Sequence, residues 1–151
     1  MQILVDGDAC PVKSQIVSIA KEFSLKVCIV FSTSHFGSAM EYPEMEKIMV
    51  DNESQAADMV IINKVTPGDI VVTGDFGLAS LVLGKKATAI SFSGRVYDED
   101  NIDKLLFERY LSAEIRRSGG KLKGPAKRSK EDDYNFKEAL KLLILKKMKD
   151  I

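Results

Sequence analysis

Residues 3–12 read ILVDGDACPV. The aliphatic run Ile3-Leu4-Val5 is stopped by Asp6-Gly7-Asp8, which marks a short buried strand ending at a polar edge. Pro11 suits the first turn of a following helix, and Val12, Ile16, Ile19, Ala20 and Phe23 then recur at helical spacing. Outward from this strand–helix unit the pattern repeats. KVCIVF at 26–31 reads as a second buried strand, and KIMV at 47–50 as a short one. Between them, residues 32–47 contain Gly37 and Pro43 with no clean period, which predicts a long loop. Asn52, with Gln55 three residues on, has the form of a capping box for a helix through Ala56, Ala57, Val60 and Ile61. DIVV at 69–72 and ATAI at 87–90 are further strands, separated by a helix through Leu78, Leu81 and Val82 that closes at Gly84. Strands alternating with helices predict an α/β fold with a mainly parallel sheet and flanking helices.

From Asp98 the texture becomes helical. Ile102, Leu106 and Tyr110 adjoin a second stripe of Phe107, Leu111 and Ile115, which predicts a broad buried face. SGGKLKGPAKRSK at 118–130 is a basic connection, and Ser129 with Asp132 can cap a last helix. Its Phe136, Leu140, Leu143 and Ile144 need a surface to cover. The expected organisation is an α/β domain over 1–118, with the basic connector and C-terminal helical tail, 119–151, packed on the same domain.

The 151 residues have ordinary globular composition and a net charge of zero. That zero conceals an asymmetry. Residues 1–103 carry 8 Lys/Arg against 15 Asp/Glu, net −7, and residues 104–151 carry 14 against 7, net +7. A basic tail on an acidic body meets either a polyanion or the body itself. No apolar run is long enough to span a bilayer, and the opening residues lack a basic leader with a cleavable apolar segment. Cys10 and Cys28 form neither a metal-binding spacing nor a disulfide framework. A cytoplasmic, non-membrane protein is the expectation.

Ligands of parallel α/β sheets bind beyond the carboxyl ends of the strands. Asp6 ends the first strand and Asp75 follows the strand in DIVVTGD, so both belong to that edge if the two strands are neighbours. Asp58 interrupts the apolar segment AADMVII, and Asp8 lies just past Asp6. Like charges about 4 Å apart repel by roughly 4 kcal/mol at an effective dielectric near 20, so such a set calls for a cation. Oxygen donors without a His or Cys cluster favour Mg²⁺ or Mn²⁺, and such a centre can hydrolyse a phosphodiester. Plainer roles compete with this one. Asp8 can cap the helix that follows it, Asp75 the helix from Phe76, and Asp69 after Pro67-Gly68 reads as a turn residue.

VDGDACPVK, AADMVI, PGDIVVTGDFGLASLVL and GRVYDEDNI together resemble the YaiI/YqxD family of bacterial proteins, and the resemblance covers nearly the whole chain. That family looks like a distant branch of the PIN-like nuclease folds. These place acidic residues after the first strand, in a middle helix, and after a later strand headed by Ser or Thr. Asp6, Asp58 and Thr73-Gly74-Asp75 match that order, while Gly77 stands where the pattern has another acid. The resemblance implies a metal-dependent ribonuclease-like centre. Asp6, Asp58 and Asp75 would be catalytic, with Asp8 as a further metal ligand. Lys13, Thr73, Arg95, Lys121, Lys123, Lys127 and Arg128 are the candidate substrate-binding residues, and RNA the candidate partner.

Three other readings use the same residues. ILVDGDACP also resembles the Asp-x-Asp motif of haloacid-dehalogenase-type phosphatases, with Asp6 as nucleophile, Asp8 as acid/base, Thr73 at a strand end and Lys85 or Lys86 as charge clamp. Cys10 at a helix start would have its pKa lowered by the helix dipole, although burial is the usual fate of such a residue. His35, in TSHFG, reads as a packing or hydrogen-bonding histidine. The basic segment, Lys130 included, could instead hold nucleic acid by its phosphates without cutting it.

Overall fold

The computed structural model describes residues 1–53, 55–121 and 127–150, the side chain of Ser38 excepted. Among the described residues, five strands form one sheet: β1 (Gln2–Asp6), β2 (Lys26–Ser32), β3 (Glu46–Val50), β4 (Ile70–Val72) and β5 (Thr88–Ile90). All neighbours are parallel, in the order β3-β2-β1-β4-β5. Within the same described residues, the α-helices α1 (Lys13–Phe23), α2 (Phe36–Met40), α3 (Ala56–Lys64), α4 (Phe76–Gly84), α5 (Glu99–Arg117) and α6 (Lys130–Lys149) connect and flank them.

A central parallel strand is buried on both faces, which is why Ile3-Leu4-Val5 runs apolar without alternation. Ile3 and Val5 face one core with Ile16 and Ile19 of α1 and Phe136, Leu140 and Ile144 of α6. Leu4 faces the other, with Ile61 of α3, Leu78 and Val82 of α4, Tyr97, and Ile102 of α5. The last helix thus covers the α1 side of the sheet. Ser129 and Asp132 form its capping box, as the sequence predicts.

Several local expectations are corrected. Residues 32–47 are not a plain loop, since a 3-10 turn (Thr33–His35) and α2 fold within them. Pro11 precedes α1 rather than opening it, because Val12 is the cap residue. Asn52 does not cap α3: Gln55 holds that place in a left-handed conformation (φ 67°) with no side-chain cap bond. Asn52 Oδ1 instead accepts from the amide and hydroxyl of Ser34. The broad face predicted on α5 is not buried as a whole. Ile102 is in the core, whereas Leu106, Phe107, Tyr110, Leu111 and Ile115 are exposed.

Candidate functional site

β1 and β4 are parallel neighbours, with Val5 opposite Val72, so Asp6 and Thr73 leave the sheet side by side at its carboxyl edge. Gly7 shapes the turn after β1. A Cβ there would lie 2.6 Å from Ile29 Cγ1, while its amide donates to the Val30 carbonyl at 2.8 Å. Only a glycine lets the chain pass that close to β2. Gly74 plays the same part after β4, where a Cβ would lie 2.9 Å from the Phe92 ring.

Thr73, fully buried, joins the two turns. Its hydroxyl donates to Asp6 Oδ2 at 2.9 Å and accepts from the Asp75 amide at 3.0 Å, and Tyr97 donates to its carbonyl. The hydroxyl therefore positions Asp6 and does not face a substrate, which corrects the substrate-binding role expected of it. Asp75 caps α4, its Oδ1 accepting from the amides of Gly77 and Leu78. Asp8 does not cap α1. Its Oδ1 accepts from the Ser32 amide at 2.9 Å and lies 3.1 Å from His35 Nδ1, which also contacts the hydroxyls of Ser32 and Ser34.

The four aspartates border a common cleft of about 360 Å³, to which Asp51 and Glu53 add two further carboxylates. No Lys or Arg side chain lines it among the described residues. Burial, together with the charges of Asp58, Asp75 and Asp8, raises the Asp6 pKa from 3.8 to about 6 against the opposing Thr73 hydrogen bond. Asp58 is raised as well, by burial and then by Asp75. Three things set these carboxylates in the cleft: the end of β1, the first turn of α3, and the cap of α4.

Two flanking cavities share these residues. One, of about 490 Å³, holds Asp6, Asp8, Asp75, Phe76 and Phe92, and the other, of about 610 Å³, runs between α3, α4 and α5 past Asp58, Asp75, Met59, Ile62 and Leu81. Arg109 of α5 lines both. Sequence reading missed it. The signal was a charge in the inner series Ile102, Leu105, Arg109, which turns one helical face toward the body. Asp51 and Glu53 were missed because they follow an edge strand read without its neighbour β2.

Other candidates lie elsewhere. Lys13 is buried and its ammonium donates to the Cys10 carbonyl at 3.1 Å. Arg128 is engaged by Asp133 Oδ1 and the Phe92 carbonyl, each at 2.7 Å, and so ties the start of α6 to the end of β5. Arg95, Lys121 and Lys127 are exposed and line none of the three cavities. Lys123 lies outside the described residues. α4 carries the chain back across the sheet, so Lys85 and Lys86 stand at the amino edge before β5. The phosphatase reading thereby loses its charge clamp. Cys10 is buried, and burial pushes its thiol pKa up, the reverse of the dipole effect expected for a reactive thiol. Asp69, Asp75 and His35 have the turn, cap and hydrogen-bonding roles open to them from sequence.

Oxygen-only donors suit Mg²⁺ or Mn²⁺. Among the described residues, however, no three His, Cys, Asp or Glu side chains stand ready to enclose an ion. Mg²⁺ does not demand such a cage: it keeps several waters and binds through one or two carboxylates. The donor set fits that open mode. Among the described residues no helix is long and apolar enough to cross a membrane.

Comparison with known proteins agrees with the sequence motifs. The family described as "Uncharacterized BCR, YaiI/YqxD family" matches residues 4–146. A UPF0178 protein of Clostridium kluyveri is 50% identical over 145 residues, covering 96% of this chain and 93% of its own. One from Clostridium tetani is 49% identical over 149 residues, covering 99% and 100%. A third, from Alkaliphilus metalliredigens, is 43% identical over 150 residues, covering 99% and 96%. No solved structure matches. The match spans both turns of the acidic edge and the helices that cover the sheet, and on that extent the chain belongs to the YaiI/YqxD family.

Proposed function

We propose that the acidic edge is a divalent-cation centre that hydrolyses phosphodiester bonds in RNA. The observation that carries the reading is the convergence of Asp6, Asp8, Asp58 and Asp75 on one cleft that, among the described residues, is lined by no lysine or arginine, where Asp6 is pushed up to about 6. A carboxyl group serving only structure is relieved by donors; Asp6 receives one hydroxyl and faces three like charges. Such a cleft repels a phosphate until a cation neutralises it.

Asp6, Asp58 and Asp75 would hold Mg²⁺ or Mn²⁺, with Asp8 assisting. When bound, the ion supplies positive charge at the scissile phosphate and acidifies a water. Thr73 fixes the Asp6 carboxylate, and Asp75 borders the cleft while its Oδ1 caps α4. Arg109 offers a bidentate contact for a phosphate oxygen. The groove along Met59, Ile62 and Leu81 gives apolar faces on which an unpaired base can lie. RNA, rather than another phosphodiester, follows from the PIN-like resemblance. Two free, buried cysteines are compatible with a reducing cytoplasmic setting.

Calorimetric titration of Mn²⁺ into chelator-stripped protein, paired with cleavage of a fluorescent single-stranded RNA, tests the reading. Binding and cleavage should both vanish in Asp6→Asn. Unchanged Mn²⁺ affinity in Asp6→Asn would remove the centre from this edge. Binding without cleavage would leave a cation site with another substrate.

A further inference from the structure

We infer that the outer face of α5 is a self-association surface, on which two copies of this chain pair their α5 helices antiparallel about a two-fold axis. The proposal is independent of the hydrolytic reading, because the inner face of the same helix carries Arg109 toward the two flanking cavities.

Leu106, Phe107, Tyr110, Leu111 and Ile115 are between 40 and 60% exposed along one 19-residue helix. A contiguous apolar patch of that kind marks an interaction surface. Its occupant follows from the charges set into it. Lys104, Phe107, Leu111 and Glu114 repeat at intervals of three and four, the seam of a two-helix contact. A parallel pairing would bring Lys104 onto the partner's Lys104 and Glu114 onto the partner's Glu114. An antiparallel one sets Phe107 against the partner's Leu111 and Lys104 against the partner's Glu114, each twice by symmetry. In the same register Asp103 meets the partner's Arg117, and Tyr110 stacks beside its own copy at the axis. Arg117 already reaches over this face, with its guanidinium 2.9 Å from Glu114 of its own chain. The one like-charge meeting, Glu108 with the partner's Glu108, falls at the wet rim, where salt screens it. The helix is thus complementary to itself, acidic half over basic half.

A contact of one helix pair is small, so the dimer should be concentration-dependent. Sedimentation velocity from micromolar to near-millimolar protein should show the mass rising from 16.7 kDa toward twice that value. Phe107→Asp should remain at the single-chain mass throughout, with an unchanged circular-dichroism spectrum. Lys104→Glu and Glu114→Lys should each weaken association about tenfold, and the double exchange should restore it. Three results would overturn the proposal: a wild-type chain that stays monomeric throughout, a dimer indifferent to Phe107→Asp, or single reversals that the double exchange does not rescue.

Discussion

The two ends of the parallel sheet each hold an aspartate, and they differ in how it is satisfied. At the amino edge, Asp69 is 3% exposed, and its two oxygens accept four hydrogen bonds, from the amide and side chain of Gln2 and the amide and hydroxyl of Thr66. Burial alone would raise its pKa, but these bonds outweigh it and hold the group below 3.8. At the carboxyl edge, Asp6 has one hydroxyl donor and three carboxylate neighbours, and its pKa stands at about 6. The first carboxylate is a structural staple, complete in itself. The second is left electrostatically incomplete, and the proposed cation would complete it.

The largest effect expected from this contrast is on stability at the amino edge. Asp69→Ala removes the acceptor of four part-buried hydrogen bonds from Gln2 and Thr66, each worth about 0.5–1.5 kcal/mol. A loss of about 3–4 kcal/mol, or roughly 10 °C in Tm for a chain of this size, should appear in thermal melts at pH 7. Asp69 is depressed, so its contribution is present above pH 3.8 and lost as pH falls through its folded value.

At the other edge the sign reverses. A raised folded pKa means that the native state binds the proton more tightly than the unfolded chain. In the ion-free protein, stability therefore falls as pH rises from about 4 to about 6. The shift corresponds to about 2–3 kcal/mol. Asp6→Asn should stabilise the ion-free protein by up to that amount at pH 7.5 and by almost nothing at pH 4, measured by denaturant unfolding. A variant less stable than wild type at pH 7.5 would show that Asp6, like Asp69, is a staple, and the contrast between the two edges would collapse.

Thr73→Val sharpens the contrast at smaller cost. The isosteric change removes the donor to Asp6 and the acceptor for the Asp75 amide, worth about 1–2 kcal/mol together. It also removes the one bond that lowers the Asp6 pKa, so the carboxyl should titrate above 6 by NMR. An unmoved titration would mean that the hydroxyl does not hold Asp6.

How much of this was legible depended on whether one residue's neighbours sufficed. Ile3–Val5 and DIVV announced buried strands because a doubly covered parallel strand needs apolar residues on both faces. Asp6 and Asp75 could be placed at one edge because a parallel sheet sends every strand end the same way. The two terminal helices show the limit. α6 and α5 carry comparable apolar stripes, yet Phe136, Leu140 and Ile144 are fully buried on the α1 face, whereas Phe107 and Tyr110 of α5 stay exposed. An amphipathic pattern states that a face needs cover, not whether this chain supplies it. The cap weighed as an alternative for Asp8, and the cap read for Asn52, failed for a related reason. Their partners, Ser32 with His35 and Ser34, lie on a segment with no periodic signal, so only the folded sheet brings them within reach. Arg109 escaped notice because one charge on an inner helical face gains meaning only when the cavities it borders are known.

Arg109 also gives the comparison its finest test. It is exposed, and it lines both flanking cavities beside Asp75. Arg109→Ala should therefore change stability by less than about 0.5 kcal/mol. Its effect belongs to ligand binding. With Mn²⁺ present, loss of one phosphate contact should weaken binding of a short single-stranded RNA about tenfold and lower the slope of log affinity on log salt by about 0.7. Calorimetric Mn²⁺ affinity should not fall, because the guanidinium repels the ion rather than holding it. Equal RNA affinity and equal salt slope in the variant would take Arg109 out of the substrate path while leaving the cation centre standing. A loss of both stability and RNA binding would instead make it a structural residue of α5. Only a defect confined to RNA separates a cleft built to receive a phosphate from an edge that is merely acidic.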